Sequence, residues 1–384
     1  MDVRGSIPFI KKHIIFWRSY MTKLKRHKTF TFLREAFVLL IALILTACLN
    51  NAGDFVNIIP PATGIVGMEP SYPLPGEDDY WKGVFIKDRK VNLSPYKLGK
   101  TEVTYELWHS VLKWNTENSK NYTFANQGRE GSNGAVGAEP TDAGKTEPVT
   151  EVSWLDCIVW CNAYTEMMNG SDTECVYRKS DTDTTVLKDA TDEAACDAAY
   201  ADIDKKGYRL PTEAEWEFAA RYQGSDNTNA VQYGEVWLTK LDSASGAKKP
   251  IGFNTLPLPE GETWESLRNE TTRIAVYDEW WDGNTWDDQA SEATKTAAVE
   301  SKAANALGLH NMSGNVWEWC WDRYSSITAD EVTDPKWPAL GSDRVRRGGS
   351  WSSGADDCTV GKRGSDSPDF RYSDLGFRLA MSKN

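Results

Sequence analysis

Short blocks of alternating or helically spaced apolar residues, separated by long polar stretches, set the layout of this 384-residue chain. Residues 84–88 (VFIKD) and 96–104 (YKLGKTEVT) read as strands, and Thr104 can cap a helix running through Lys113. Residues 115–147 form a Gly- and Asn-rich loop. Ser153 then stands as N-cap to a helix at 155–168, and a polar, Asp-rich excursion fills 170–206. Thr212 opens a further helix to about Arg221, with Glu215 at capping-box spacing. Residues 222–305 are polar and irregular, which predicts loops with short strands, and order returns from 307 to 322. No internal period is visible, which argues against solenoids and propellers. The pattern predicts one α+β domain, poor in helices and rich in loops, whose 17 Trp compensate by burying large areas.

Charge divides the chain unevenly. The first 34 residues hold nine Lys or Arg against one Asp, and an apolar run (AFVLLIALILTA, 36–47) follows, ending at Cys48. A basic n-region, a short apolar h-region and a small residue before the cut describe a signal peptide at 1–47. Leu45-Thr46-Ala47-Cys48 resembles a bacterial lipobox, which implies cleavage before Cys48 and lipidation of its thiol; a plain membrane anchor is the alternative. Met21 opens a signal of more ordinary length, so 1–20 can be an artefactual extension. Residues 48–78, rich in Asn, Pro and Gly, read as a tether leading to a domain at 79–384. Beyond residue 47 the chain has 34 basic against 54 acidic residues, a net charge of −20. Such a body repels phosphate backbones, so nucleic acid is not an expected partner.

Six cysteines follow Cys48: Cys157, Cys161, Cys175, Cys196, Cys320 and Cys358. Their pairing is not readable from spacing, although Cys175 with Cys196 is the pair to test first and Cys157 with Cys161, one helical turn apart, is a poor one. Only His109 and His310 lie beyond residue 47, and neither HExxH nor CxxC occurs, which disfavours a zinc enzyme.

Five long motifs carry a family resemblance: VTEVSWLDCIVWCNAY, GYRLPTEAEWEFAAR, NMSGNVWEWCWD, RRGGSW and GFRLA. Their order resembles that of formylglycine-generating-enzyme-type (sulfatase-modifying-factor) domains, which implies an elaborated C-type lectin fold. Gly314 and the Gly348-Gly349 pair suit backbone conformations that a Cβ would obstruct, and Trp317, Trp319 and Trp351 are expected core pillars. Asn311, Gly314, Val316 and Glu318 match positions at which such domains hold calcium through oxygen ligands. The alternative is that Asn311 and Glu318 only hydrogen-bond the loop, so structural calcium is an option and no cofactor is required. A further calcium site of the family would fall within 222–300, where no convincing match is found. Active members of the family resemble one another in two Cys, five apart, that bind copper(I). This chain has Ser353 at the first position and Cys358 at the second, and a hydroxyl is no substitute for a soft thiolate. No catalytic residue is therefore expected, and two His do not supply the iron site of sulfoxide-synthase relatives.

The stretch between the RRGGSW and GFRLA brackets has a different character. Ser, Gly and Asp supply 13 of the 23 residues at 352–374, and Asn is absent. That composition suits an adaptable recognition surface. The segment resembles that of the variable proteins of diversity-generating retroelements, including spirochaete surface lipoproteins. The resemblance implies ligand-binding, variable positions at Ser352, Ser353, Gly354, Asp356, Asp357, Gly364, Ser365, Asp366, Ser367, Phe370, Tyr372, Ser373 and Asp374. Thr359 and Gly361 are left open. Adenine mutagenesis of an Asn codon (AAY) reaches every one of these residues, whereas an ordinary Ser/Gly/Asp loop is the alternative. Trp351, Cys358, Arg363, Arg371 and Phe377 would hold the backbone, and Arg363 and Arg371 either pair with carboxylates or stay solvated. The expectation is a monomeric lipoprotein of the bacterial cell envelope, at the outer-membrane surface, that binds a variable protein or other surface ligand. Two alternatives remain: an oxidase of the formylglycine-generating type acting on cysteine peptides, and a structural envelope lipoprotein.

Overall fold

The computed structural model describes residues 55–289, 295–336 and 341–383. The chain divides into two units, 1–54 and 55–384. The expected signal peptide and Cys48 lie outside the described residues.

Among the described residues five α-helices form: α1 (Tyr105–Glu117), α2 (Trp154–Asn169), α3 (Glu193–Asp197), α4 (Glu213–Arg221) and α5 (Trp264–Ile274). The Thr104 hydroxyl accepts from Leu107 N at the start of α1, which runs one turn beyond the expected Lys113. Ser153 and Asp156 make a reciprocal capping box on α2, and Gly170 (φ 72°) ends it in the left-handed region. Thr212 and Glu215 do the same for α4, in which all nine residues are buried. Helix α5 falls within the stretch expected to be irregular. It is mostly polar and buries only Leu267, Thr271 and Ile274, so the apolar signal is a thin stripe, but Thr263 and Ser266 box its start.

Two four-stranded sheets position the rest. The strands are β1 (Phe55–Ile58), β2 (Tyr96–Gly99), β3 (Tyr208–Arg209), β4 (Trp317–Arg323), β5 (Arg344–Arg347), β6 (Arg363–Asp366), β7 (Leu375–Gly376) and β8 (Ala380–Ser382). The first sheet has the order β1–β2–β8–β3 and the second β6–β5–β4–β7, in which only β4 and β7 run parallel. The expected tether at 48–78 is corrected by β1, whose Phe55 to Ile58 pair with Gly99 to Tyr96. Ile58 and Ile65 are buried, so apolar residues within a Pro- and Gly-rich stretch draw it onto the domain. The expected strand at 84–88 is likewise replaced by a turn. Gly83 and Asp88 have φ of 62° and 64°, and Val84 N donates to Glu217 Oε2 at 2.7 Å instead of to a neighbouring strand.

Helix α2 is the centre of the main core. Trp160 stacks on Trp108 of α1 at 5.6 Å, and Phe377 packs edge-on against both rings. A second cluster forms around Trp216 of α4. All six cysteines beyond residue 54 are free and buried. The suggested Cys175–Cys196 pair is therefore not formed: Cys175 Sγ donates to Asn162 O at 3.2 Å and Cys196 Sγ to Asp189 O at 3.4 Å.

Buried ion pairs tie the sheets to each other and to α4. Arg378, just before β8, grips Glu318 of β4 with Nη2–Oε1 at 2.5 Å and Nε–Oε2 at 2.6 Å, and neither side chain reaches solvent. Removing one member of such a pair leaves an uncompensated charge in the core. Arg378→Met is expected to destabilise the protein by about 3–5 kcal/mol, and Arg378→Met with Glu318→Leu to recover part of that loss. Urea unfolding followed by Trp fluorescence measures both.

Candidate recognition surface

The segment between β5 and β7 is built from the bracket upward. Gly348 and Gly349 have φ of 102° and 74°, a region that L side chains avoid. A Cβ on Gly349 would stand 2.8 Å from Asp357 O. The bracket therefore turns tightly against the 3-10 turn Ala355–Cys358, then β6 returns along β5 in the register Arg347↔Arg363 to Arg344↔Asp366. Loop 367–374 closes the circuit into β7.

Three guanidiniums of this region are sunk among carboxylates. Arg347 Nη2 reaches Glu217 Oε2 at 2.6 Å, and Arg363 grips Glu213 through Nε and Nη2 at 2.7 and 2.9 Å. Arg378 on Glu318 completes the set. Although burial opposes ionisation, Arg363 and Arg347 hold the Glu213 carboxyl below its ordinary range. Arg371 differs from Arg363: it is exposed and enters no ion pair among the described residues, so the suggested anchoring role does not suit it.

Backbone bonds fix the loop itself. Glu151 N, just before α2, donates to Tyr372 O at 3.0 Å, Leu155 N to Pro368 O at 3.4 Å, and Trp317 N to Asp374 O at 2.8 Å. The side chains above are free of that scaffold. Phe370 and Tyr372 are 43% and 45% exposed and stack on each other at 5.4 Å with planes 15° apart. Ser352 is also exposed, and its hydroxyl donates to Asp374 Oδ2 at 3.0 Å.

Other expected surface positions are less open. Gly354, Asp356, Asp357, Gly364, Ser365, Asp366, Ser367, Ser373 and Asp374 are half-buried. Asp366 pairs with Arg346 Nε at 2.7 Å and Asp357 with Lys362 at 3.1 Å. Burial, then the neighbouring Asp357, pushes the Asp356 carboxyl above its ordinary range. Ser353 is buried, contrary to its place among the displayed positions. Its hydroxyl lies 3.0 Å from that of Ser350, and its carbonyl accepts from Asp278 N at 2.8 Å. Thr359 and Gly361, left open by the sequence, are buried. Trp351 is half-buried, unlike the core residues Trp317 and Trp319, because its indole Nε1 turns to Ser373 O at 3.1 Å at the base of the loop.

One neighbour escaped the sequence reading. The hairpin of Glu279–Trp281 and Trp286–Asp288 bridges to Gly354 through Glu279. Its half-buried Trp281 and Trp286 meet at 5.9 Å, beside the 3-10 turn. The signal was present in WWDGNTW, a turn sequence flanked by rings, but nothing local ties it to a segment 70 positions later in the chain.

The calcium and thiol chemistry can be tested against the same geometry. Both oxygens of Glu318 are held by Arg378, and Oε2 also accepts from Trp216 Nε1 at 2.8 Å. Asn311 donates to Val299 O at 2.8 Å and to Glu102 at 3.3 Å, while its Oδ1 has no partner. A cation ligated by Glu318 would share it with the Arg378 guanidinium, and the buried Asn311 Oδ1, left without a partner, is the oxygen that the expected set Asn311, Gly314, Val316 and Glu318 offers to calcium. Gly314 has its own backbone reason: a Cβ there would collide with the Val276 carbonyl. Among the described residues no group of three or more His, Cys, Asp or Glu is placed to hold a metal. The Cys358 thiol is fully enclosed, and burial pushes it well above its ordinary range, away from the reactive thiolate.

The fold is thus the loop-rich α+β type of the elaborated C-type lectin kind, with a bracketed C-terminal surface. The Sulfatase-modifying factor enzyme 1-like domain matches residues 76–383, and the chain belongs to that family, which contains both enzymes and non-enzymatic relatives. Among solved structures, Treponema denticola variable protein 1 superposes with a TM-score of 0.55 at 29% identity, over 86% of this chain and 95% of that one. CarF superposes with a TM-score of 0.54 at 24% identity, over 86% and 98% of the two chains, a likeness of fold alone. In sequence, "Chaperone protein LppX" of Paenibacillus barcinonensis is 27% identical over 77% of this chain and 83% of its own. The formylglycine-generating enzyme of Thermomonospora curvata is 35% identical over 45% of this chain and 49% of its own, so that match spans about half of the enzyme.

The loop under the bracket carries a titration. Glu102 accepts from Asn315 Nδ2 at 2.9 Å and from Asn311, while Asn315 O receives Trp351 N. Burial, partly offset by Arg378, raises its carboxyl from 4.5 to about 8. The folded state therefore keeps a proton that the unfolded chain has lost, so this contribution to stability is full below about 4.5 and is lost as pH rises through about 8. Urea midpoints are expected to fall from pH 6 to pH 9 in the wild type and to fall less in Glu102→Gln.

Proposed function

We propose that this chain is a lipid-anchored binding protein of the bacterial cell envelope, displayed at the outer-membrane surface, whose segment 352–374 is diversified by a retroelement to recognise varied targets. The observation that carries the reading is the exposed Phe370–Tyr372 stack, standing on a backbone fixed by Glu151, Leu155 and Trp317. Two stacked rings offer a large contact area for little rotamer entropy, and the surrounding Ser, Gly and Asp supply adaptable hydrogen bonds. The likeness to a solved structure titled as a variable protein supports the same reading. Asp357, Asp369, Asp287 and Asp288 give the neighbourhood an acidic character that suits a basic or polar target. The binding unit is a monomer in this reading and needs no metal.

An oxidase of the formylglycine-generating type is the second reading, favoured by the 35% identity to such an enzyme. Ser353 in place of the first thiol and the enclosed Cys358 speak against it.

Phe370→Ala with Tyr372→Ala is expected to weaken a target selected with the wild-type protein by about tenfold or more in surface plasmon resonance. The urea midpoint should move by no more than about 0.5 kcal/mol equivalent. Undiminished binding would remove the recognition role. Genomic DNA beside the gene is expected to contain a near-copy of the 352–374 coding sequence with AAY codons, next to a reverse transcriptase. Aldehyde formation on a cysteine peptide with copper would replace this reading with the enzymatic one.

A further inference from the structure

Behind the recognition segment, on the far side of Arg363, lies a cavity of about 390 Å³. Arg89, Arg363, Glu213 and Asp322 supply its charged wall, with Arg323 and Asp330 also lining it. Val84, Ala214, Ile327, Val332 and Pro335 supply an apolar one.

Arg89 has no direct salt-bridge partner among the described residues. It is 8% exposed, yet among the described residues it enters no ion pair. Its Nη1 donates to Val84 O at 3.0 Å, and its Nε has no partner. A guanidinium carries five N–H donors and cannot shed its charge under ordinary conditions. The surrounding lattice does not neutralise it. Glu217 is taken by Arg221 at 2.8 Å and by Arg347 at 2.6 Å, and Glu213 by Arg363 at 2.7 Å and Arg347 at 3.4 Å. Asp322 Oδ2 accepts from Glu213 N at 2.7 Å. Within this buried cluster the carboxylates of Glu213 and Glu217 are each already shared by two other guanidiniums, which leaves Arg89 without a direct carboxylate partner. Burial lowers the pKa of Arg89 despite the pull of Glu213 and Glu217, as expected for a cation that burial has left undercompensated.

We propose that the cavity beside Arg89 is a binding site for a small organic monocarboxylate, its carboxylate on the Arg89 guanidinium and its short hydrocarbon body against Val84, Ile327 and Val332. Arg89 presents one unpaired guanidinium, which suits a monoanion. A phosphate dianion would overcompensate it and meet the carboxylates of Glu213 and Asp322 in the same wall. A planar carboxylate also matches the fork of the guanidinium, and the apolar lining gives a hydrocarbon tail a dry contact that an inorganic ion cannot use. Occupancy would be felt at the recognition segment, since Arg363 lines the same cavity while its Nη1 donates to Ser325 O at 3.0 Å and its other nitrogens grip Glu213.

The full chain is titrated with butyrate, neutral butyramide and phosphate at matched ionic strength, with thermal melts and isothermal calorimetry as readouts. Butyrate is expected to raise the melting temperature saturably, and butyramide and phosphate to leave it unchanged. Arg89→Gln should weaken butyrate about tenfold or more, the loss expected when a charge-assisted hydrogen-bonded pair is removed. Ile327→Trp keeps the guanidinium and fills the space for the hydrocarbon body; it should abolish binding even where Arg89→Gln does not fold. No saturable butyrate response, an equal response to phosphate, or butyrate binding undiminished by Ile327→Trp would each overturn the assignment.

Discussion

The buried guanidinium–carboxylate contacts of Arg347, Arg363 and Arg378 are the constraint on which the rest of this structure depends. All three arginines belong to the last 40 residues of the chain, and their partners, Glu217, Glu213 and Glu318, sit on α4 and β4. An apolar side chain could fill the same volume at comparable stability, because desolvating two charges offsets much of their attraction. What a planar fork adds is direction: two parallel bonds to a carboxylate fix orientation as well as distance. Arg347 lies 4.9 Å over the Trp216 ring and Arg363 4.8 Å over Tyr324, so aromatic faces further limit where the forks can sit. Sliding β6 by one residue would bring Arg363 out of reach of Glu213 and leave a buried guanidinium without its carboxylate. The register of the segment is thus held by a penalty on every alternative.

That arrangement separates what the backbone does from what the side chains display. The loop at 367–374 is fastened through the carbonyls of Pro368, Tyr372 and Asp374, which any residue could offer. The side chains of Phe370 and Tyr372 contribute no hydrogen bond on which the frame relies. Their exchange alters the surface and leaves the ladder intact, the property a recognition platform requires.

The sequence announced the frame better than the surface. Capping boxes at Ser153 and Thr212 rest on residues three apart, so their helices were legible, and the RRGGSW and GFRLA brackets marked the edges of the Ser/Gly/Asp-rich stretch. Helix α5 was hidden because its apolar stripe is one residue wide. Strand β1 was hidden because its partner Tyr96–Gly99 lies some 40 residues on and Pro60-Pro61 mimics a linker. Charge pairing was the least legible of all. Arg363 and Arg371 are both arginines within one Ser/Gly/Asp-rich stretch, yet only Arg363 falls on the inward side of a paired strand. Periodicity of two cannot be read in a strand of four residues whose neighbours are Gly and Ser.

Burial within the segment also ranks its positions. Ser353 packs its hydroxyl against Ser350, and Ser350 also reaches Asp374 Oδ2 at 2.9 Å, so a larger side chain at 353 would press on both the bracket and the loop. Asp366 holds the Arg346 guanidinium, which lies 4.2 Å over the Trp317 ring, and its loss would free a half-buried cation. Ser352, Phe370 and Tyr372 have solvent above them and face no such cost. Ser353 is therefore one of the most enclosed positions in the segment, and the positions freest to change lie where the two rings stand. Inward positions set the packing of the loop and outward ones its surface, so the surface can change without disturbing the packing.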